Sequence, residues 1–199
     1  MSADRPASGA DFGRLLDDHK AVAGRMSVLA EPAGHLAEAA ISVLRAGGKL
    51  LLCGNGGSAA DSQHIATELT VRFETDRQAL PAIALTTDSS ALTAAGNDLG
   101  FEQVFARQVA ALGRKGDLLI GLTTSGTSPN VVAALKAARS AGLVTACLTG
   151  RDGGSVAAER LADHCLVVPS DNTARIQEMH SFIGHFLCAA IDAAFAPGK

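Results

Sequence analysis

The sequence predicts an α/β domain: a doubly wound sheet of five parallel strands, preceded by an N-terminal helical arm. Three observations predict it. Five short apolar runs, at 49–53, 81–85, 117–122, 143–148 and 164–168, lack strict apolar–polar alternation. Parallel strands covered on both faces read this way. Segments of helical spacing alternate with these runs, the rhythm of successive βα units. Two serine- and glycine-rich loops, Gly54-Asn55-Gly56-Gly57-Ser58 and Thr123-Thr124-Ser125-Gly126-Thr127-Ser128, follow the first and third runs. Both loops therefore fall at strand C-termini, where open α/β sheets bind ligands.

Each element follows in order. Residues 1–10 are small and polar and read as a flexible leader, ahead of a single domain over 11–199. From Asp11 to about Ala46 the apolar spacing is helical: Phe12, Leu15, Leu16, His19 and Val22, then Leu36, Ala39, Ile41, Val43 and Leu44. Pro32 is expected to divide two helices here. Gly47-Gly48 ends the second. The strand at 49–53 leads through the first loop into a helix over 58–71. The strand at 81–85 precedes helices over 89–95 and 102–112. The strand at 117–122 leads through the second loop into a helix over 129–141, with Pro129 in the first turn, where a helix accepts proline. After the strand at 143–148 come a helix over 155–161, the strand at 164–168 and a long helix over 173–195.

Composition bounds the function. A chain of 199 residues can bury a sizeable core. Its 47% apolar and 19% charged residues are ordinary for a soluble globular protein. With no Trp or Tyr and 7 Phe, the core must be aliphatic and alanine-rich. A net charge of −3 offers no basic surface for nucleic acid. No apolar run approaches the ~20 residues of a membrane span. Met1-Ser2-Ala3-Asp4-Arg5-Pro6 lacks the apolar stretch of a signal peptide. Cys53, Cys147, Cys165 and Cys188 show no CxxC spacing and read as buried, reduced thiols. The expectation is a cytoplasmic protein with neither a nucleic-acid nor a membrane partner.

Loops of this kind set backbone N–H groups and hydroxyls at a helix N-terminus, where an anion is favoured. Neither loop contains Lys or Arg. That suits the phosphate of a small metabolite better than a nucleoside triphosphate gripped by lysine. The first loop also matches GxGxxA, a dinucleotide fingerprint. The fingerprint requires a second strand soon afterwards and an acid about 20 residues on. Here the nearest acid is Glu74, in a loop, and little chain remains for a substrate domain. Ser58 and Ser125 are poor nucleophile candidates, because GxSxG surrounds neither.

Two helices carry titratable side chains. His64 and Glu68, four apart on the helix after the first loop, share one face. Such a pair can bind a metal or serve as acid and base; alone, it is more often a solvated helix face, and its place just beyond a phosphate loop brings the functional reading level with that one. The last helix carries Gln177, Glu178, His180 and His185 among the core positions Met179, Phe182, Ile183, Phe186 and Leu187. Gln177 and His185 stand eight apart, about 12 Å along the axis, so they reach one ion only by leaning together. By spacing, His180 is as good a candidate as His185. His19, His35 and His164 read as structural or exposed.

The segments CGNGGSAADSQHIATEL, ALTTDSS, TAAGNDLGFEQVFARQV, GLTTSGTSPNVVAAL and RIQEMHSFIGHFLC, in this order, resemble the phosphoheptose isomerases. These are sedoheptulose 7-phosphate isomerases of the flavodoxin-like sugar isomerase (SIS) fold. The resemblance runs from about Asp17 to Phe195. It implies a homotetramer with active sites between subunits, and one zinc ion per subunit. It implies that Asn55, Gly56, Gly57 and Ser58 line a sugar phosphate, that Thr123, Thr124, Ser125 and Ser128 hold its phosphate, and that Asn97 and Asp98 contact the sugar. His64, Glu68, Gln177 and His185 match the metal positions, which leaves His180 behind them; Glu68 and Gln177 also fall at the substrate. Thr123 stands where the family usually has serine, and Thr127 where a longer polar residue is common.

The implied reaction turns sedoheptulose 7-phosphate into D-glycero-D-manno-heptose 7-phosphate by moving a proton between C1 and C2 through an enediol. That needs an acid, a base and stabilisation of the enediolate. Glu68 is the expected base and His185 the expected acid. Neither can be a fixed ligand and a free acid or base at once, so the assignment needs exchangeable coordination or a metal that mainly holds the site. Two other readings of the fold are a non-catalytic protein that binds the replication initiator and a sugar-phosphate-sensing module. The first lacks the metal residues present here, and the second usually comes joined to a further domain.

Overall fold

The computed structural model describes residues 11–196; the leader at 1–10 lies outside them. Five strands, β1 (Leu50–Gly54), β2 (Ala82–Ala84), β3 (Leu118–Leu122), β4 (Val144–Gly150) and β5 (His164–Val168), pair in the order β2-β1-β3-β4-β5. Every pair is parallel. Eight α-helices are described: α1 (Phe12–Arg25), α2 (Ala30–Arg45), α3 (Gly57–Thr70), α4 (Ser89–Asp98), α5 (Ala106–Leu112), α6 (Pro129–Ser140), α7 (Gly154–Ala158) and α8 (Thr173–Phe195).

The missing alternation in the strands has a direct cause. Side chains of a strand point alternately to its two faces, and here both faces are covered. Leu50 and Leu52 of β1 join Leu118, Ile120 and Leu122 of β3 in a core with Leu36 of α2, Leu69 of α3 and Ile183 of α8. Leu51, Cys53 and Leu119 turn the other way, towards Val109 of α5 and Val131 and Leu135 of α6. Cys53, Cys147 and Cys188 are buried thiols, and burial pushes Cys53 and Cys188 up to about 12.

The strand order reverses between β1 and β3. The chain steps from β1 outward to β2, then returns to the other side of β1 with β3. The loops leaving β1 and β3 therefore diverge and open a crevice at their C-terminal ends. At the opposite end Asp117 ties the same two strands together. Its carboxylate accepts the Lys49 amide (2.9 Å), the Lys49 ammonium (2.5 Å) and the Arg114 amide (2.8 Å).

Two expectations need correction. Pro32 does not separate the first helices: a 3-10 turn at Met26–Leu29 does, and Pro32 lies within the first turn of α2. The first N–H groups of a helix have no partner within it, so proline there sacrifices nothing. The helix expected over 102–112 is broken as well. A 3-10 turn at Phe101–Gln103 precedes α5, and the buried Val104 and Phe105 plug the core between them.

On the first face α3 and α8 lie side by side, and their contacts advance in step. Gly57 meets Gln177, the Ser181 hydroxyl donates to Asp61 (2.8 Å), and Ile65 meets Gly184. The two helices therefore run parallel. Gly184 permits the approach, since a Cβ there would lie 2.7 Å from Ile65 Cδ1.

The Asp117 knot yields a prediction. Burial opposes its charge, but the Lys49 and Arg114 donors win and hold the carboxyl below its ordinary 3.8. Its contribution is thus complete above that value and is lost as pH falls through the lower folded value. Asp117→Ala is expected to lower the unfolding free energy at pH 7 by about 1–3 kcal/mol. In urea titrations the difference from wild type should shrink below pH 3.8.

Candidate functional site

The crevice between the β1 and β3 loops is closed at its base by an amide pair. Asn55 Nδ2 donates to Asn130 Oδ1 (2.9 Å), and Asn130 Nδ2 returns a bond to Asn55 Oδ1 (2.8 Å). Asn130 is buried, and its Oδ1 also accepts the Val131 amide (3.0 Å). One side chain at the start of α6 thus fixes both loops. Nothing in its sequence context marks Asn130, because its partner lies 75 positions away.

Beyond Asn55 the backbone turns sharply. Gly56 has φ +56°, and Gly57 opens α3 beneath the Gln177 side chain, where a Cβ would lie 2.6 Å from its Nε2. Ser58 is buried beside them. In the second loop the Thr123 hydroxyl is also buried and bonds to Ser128 Oγ (2.8 Å), so Thr123 orients Ser128 from beneath. Ser125 Oγ bonds to Thr127 Oγ1 (2.9 Å) and accepts the Thr127 amide (3.3 Å). The amides of Thr124, Ser125 and Ser128 donate to no other group among the described residues. Three N–H groups and two half-buried serine hydroxyls thus gather at the N-terminus of α6. This arrangement accepts an anion without a cation.

The second cluster lies along the α3–α8 pair. His64 Nε2 and His185 Nε2 stand 2.9 Å apart, their rings edge to face at 5.1 Å. One ring must donate while the other accepts. Glu68 Oε1 lies 3.6 Å from His64 Nε2, and the Glu68 side chain is 20% exposed. The Phe73 ring stacks on His185 at 5.5 Å. The structure therefore brings His64, Glu68 and His185 together. Among the described residues Gln177 hydrogen-bonds to neither imidazole; its amide lies over Gly57. No three His, Cys, Asp or Glu side chains among the described residues already stand around one point with metal spacing.

His180 and His185, equal by spacing, are separated by the fold. His180 is fully buried and donates through Nε2 to the Thr149 carbonyl (3.2 Å), and burial lowers its pKa. It ties α8 to β4. Asn97 and Asp98 end α4, exposed and bonded to each other (2.7 Å), and they hydrogen-bond to neither loop. Glu74 lies in the irregular stretch between α3 and β2, where it has none of the strand-end setting of a dinucleotide-binding acid.

Three comparisons bear on this arrangement. Residues 17–150 match the family model for the SIS domain. The chain is 57% identical to the phosphoheptose isomerase of Paramagnetospirillum magneticum over 84% of its own length and 86% of that protein's. The solved phosphoheptose isomerase GmhA of Neisseria gonorrhoeae superposes with a TM-score of 0.85 at 46% identity, over 91% of this chain and 96% of that one. That of Francisella tularensis gives 0.87 at 41% identity, with the same coverage.

The amide pair can be tested directly. Asn130→Ala strands the Asn55 amide and is expected to lower the unfolding free energy by about 1–3 kcal/mol. Inorganic phosphate should then protect the variant from thermal unfolding less than it protects wild type. Equal protection of both would detach the amide pair from anion binding.

Proposed function

This chain belongs to the phosphoheptose isomerase family, and from that premise we propose that it interconverts sedoheptulose 7-phosphate and D-glycero-D-manno-heptose 7-phosphate. The observation that carries the reading is the α3–α8 pair, which sets the Gly56-Gly57-Ser58 turn and a His/Glu cluster along one helix. Thr124, Ser125 and Ser128 hold the phosphate with their amides and hydroxyls, and Thr123 braces Ser128. Asn55 and the Gly56-Gly57-Ser58 turn line the rest of the substrate. Asn97 and Asp98 contact the sugar only where assembly brings them to the cleft.

The reaction moves one proton between C1 and C2. Glu68 takes it from one carbon as base and returns it to the other. His185 donates to the oxygen that becomes a hydroxyl and recovers the proton released by the hydroxyl that becomes the carbonyl, and Phe73 behind its ring holds the imidazole in place. Both groups lie within one cluster. Positioned proton transfer of this kind contributes roughly 10²–10⁴-fold.

His64, Glu68 and His185 also suit a divalent metal, for which we propose one zinc per subunit, with Gln177 joining them when its amide leaves Gly57 and with Glu68 and His185 as exchangeable ligands. Two imidazole nitrogens 2.9 Å apart need little separation to hold zinc, whose tetrahedral ligands at about 2.0–2.1 Å place two nitrogens about 3.3 Å apart. When bound, the metal would polarise the substrate's carbonyl and hydroxyl oxygens. A homotetramer is part of the same reading. Phe182 (59% exposed) and Phe186 (40%) flank a groove of about 600 Å³ between α8 and the first two helices, lined by Met26, Ala30, Ala33 and Met179. Apolar surface of this kind is economically covered by further copies of the chain. The buried thiols suit the cytoplasm, where the product enters heptose biosynthesis. Among the described residues no helix is long and apolar enough to cross a membrane.

Glu68→Gln and His185→Gln are each expected to lower kcat by roughly 10²–10⁴-fold in a folded protein. His180→Gln should cost turnover less. A larger loss at His180 than at His185 would reverse the assignment of the acid.

Exhaustive chelation should abolish turnover, and zinc should restore it. His64→Ala should lose zinc, measured by elemental analysis, while inorganic phosphate still binds. Sedimentation should give a tetramer that metal stabilises, as a ligand of the assembled form must. A fully active monomer would contradict the shared site, and a chelated tetramer with full turnover would refute the metal.

A further inference from the structure

We infer that the buried Arg77–Asp192 ion pair is the positioning element of the Glu68/His185 cluster; what that cluster does rests on the reading proposed above. The Arg77 side chain has no exposed surface, and that of Asp192 is 4% exposed. Arg77 Nε donates to Asp192 Oδ1 (2.6 Å). Its Nη2 donates to the Glu68 carbonyl (2.8 Å), and Nη1 to the carbonyls of Leu69 and Gln78 (both 2.9 Å). The guanidinium thus caps the last turn of α3, whose carbonyls have no partners within the helix. That turn carries Glu68. A cation there also meets the negative end of the helix dipole.

Asp192 completes the device from α8. Its Oδ2 accepts the amides of Glu74 (3.0 Å) and Thr75 (2.9 Å). The stretch between α3 and β2 has no regular structure, so these bonds define its course. They hold Phe73, the residue before Glu74, against the His185 ring. One ion pair, two helical turns past His185, therefore fixes both the turn that bears Glu68 and the ring that backs His185. Stability alone explains such a pair poorly, because well-packed apolar replacements are often neutral or better. The need is for a planar fork with several donors, which lysine cannot supply.

Arg77→Lys keeps a charge opposite Asp192 but cannot serve the Glu68 and Leu69 carbonyls together. Asp192→Asn is the milder break, since its single carbonyl oxygen cannot accept both from Arg77 Nε and from the Glu74 and Thr75 N–H groups. In the folded variants kcat is expected to fall about 10–100-fold, the scale of a misplaced reacting group. KM should stay within about twofold of wild type, because the phosphate loops sit at the other end of α3. The His185 Cε1–H resonance, assigned by its loss in His185→Gln, should move downfield in proton NMR as Phe73 leaves the ring. If Arg77→Lys fails to fold, Asp192→Asn carries the test with the same readouts. Wild-type kcat in a folded variant would overturn the proposal, as would a kcat loss with the resonance unmoved. The resonance is read without substrate. A wild type that does not turn over sedoheptulose 7-phosphate would therefore sink the proposed reaction and leave the positioning role to the NMR result.

Discussion

The parallel packing of α3 on α8 is the constraint on which the site depends. Gly184 admits Ile65 at a distance that any larger residue would contest, so the two axes run close. With the axes close and parallel, contacts repeat in step: Gln177 on Gly57, Ser181 on Asp61, His185 on His64. A slip of one helical turn, about 5.4 Å, would part the imidazoles and move Gln177 off the turn that opens α3. The distance between Gln177 and His185 along α8 is therefore spanned by α3 itself, which starts beneath one and presents His64 to the other.

The anion-binding end obeys a different rule. Its loops hold no cation, so binding must come from amides, hydroxyls and the dipole of α6. Hydrogen bonds to an ionised acceptor are roughly twice as strong as neutral ones, so the ligand's own charge makes such a nest sufficient. What the nest demands is rigidity. The Asn55–Asn130 pair, the Thr123–Ser128 bond and the Gly126 carbonyl, which accepts from Val156 and Ser155, meet that demand beneath and behind the loops.

The strands and both loops were legible because each is a local pattern: an apolar run, then a hydroxyl-rich turn before a helix. Pro32 misleads because one proline does not tell a helix break from a helix start; only its place as the third residue after the 3-10 turn does, and that turn has no marker of its own. The residues the sequence concealed are those whose meaning is a distant partner. Asn130 needs Asn55, Arg77 needs Asp192, and Phe73 is one aromatic in a polar loop until His185 stacks on it. His180 and His185 could not be ranked by spacing, because burial separates them and spacing does not report burial. Family resemblance chose His185, and the fold places that residue beside His64.

Exposure links the proposed chemistry to assembly. The His64 side chain is 47% exposed, and Phe182 lies on α8 three residues before His185. A proton shuttled between Glu68 and the substrate would exchange with water at so open a cluster, and water would weaken every charge interaction within it. Among the described residues α1, α2 and α3 already contact α8, and none of them covers His64. In the proposed tetramer a second copy, seated on the apolar surface around Phe182 and Phe186, would dry the cluster as it buries that surface. The same contact would then serve stability and catalysis, and a surface that looks wasteful in one chain becomes the wall of the site.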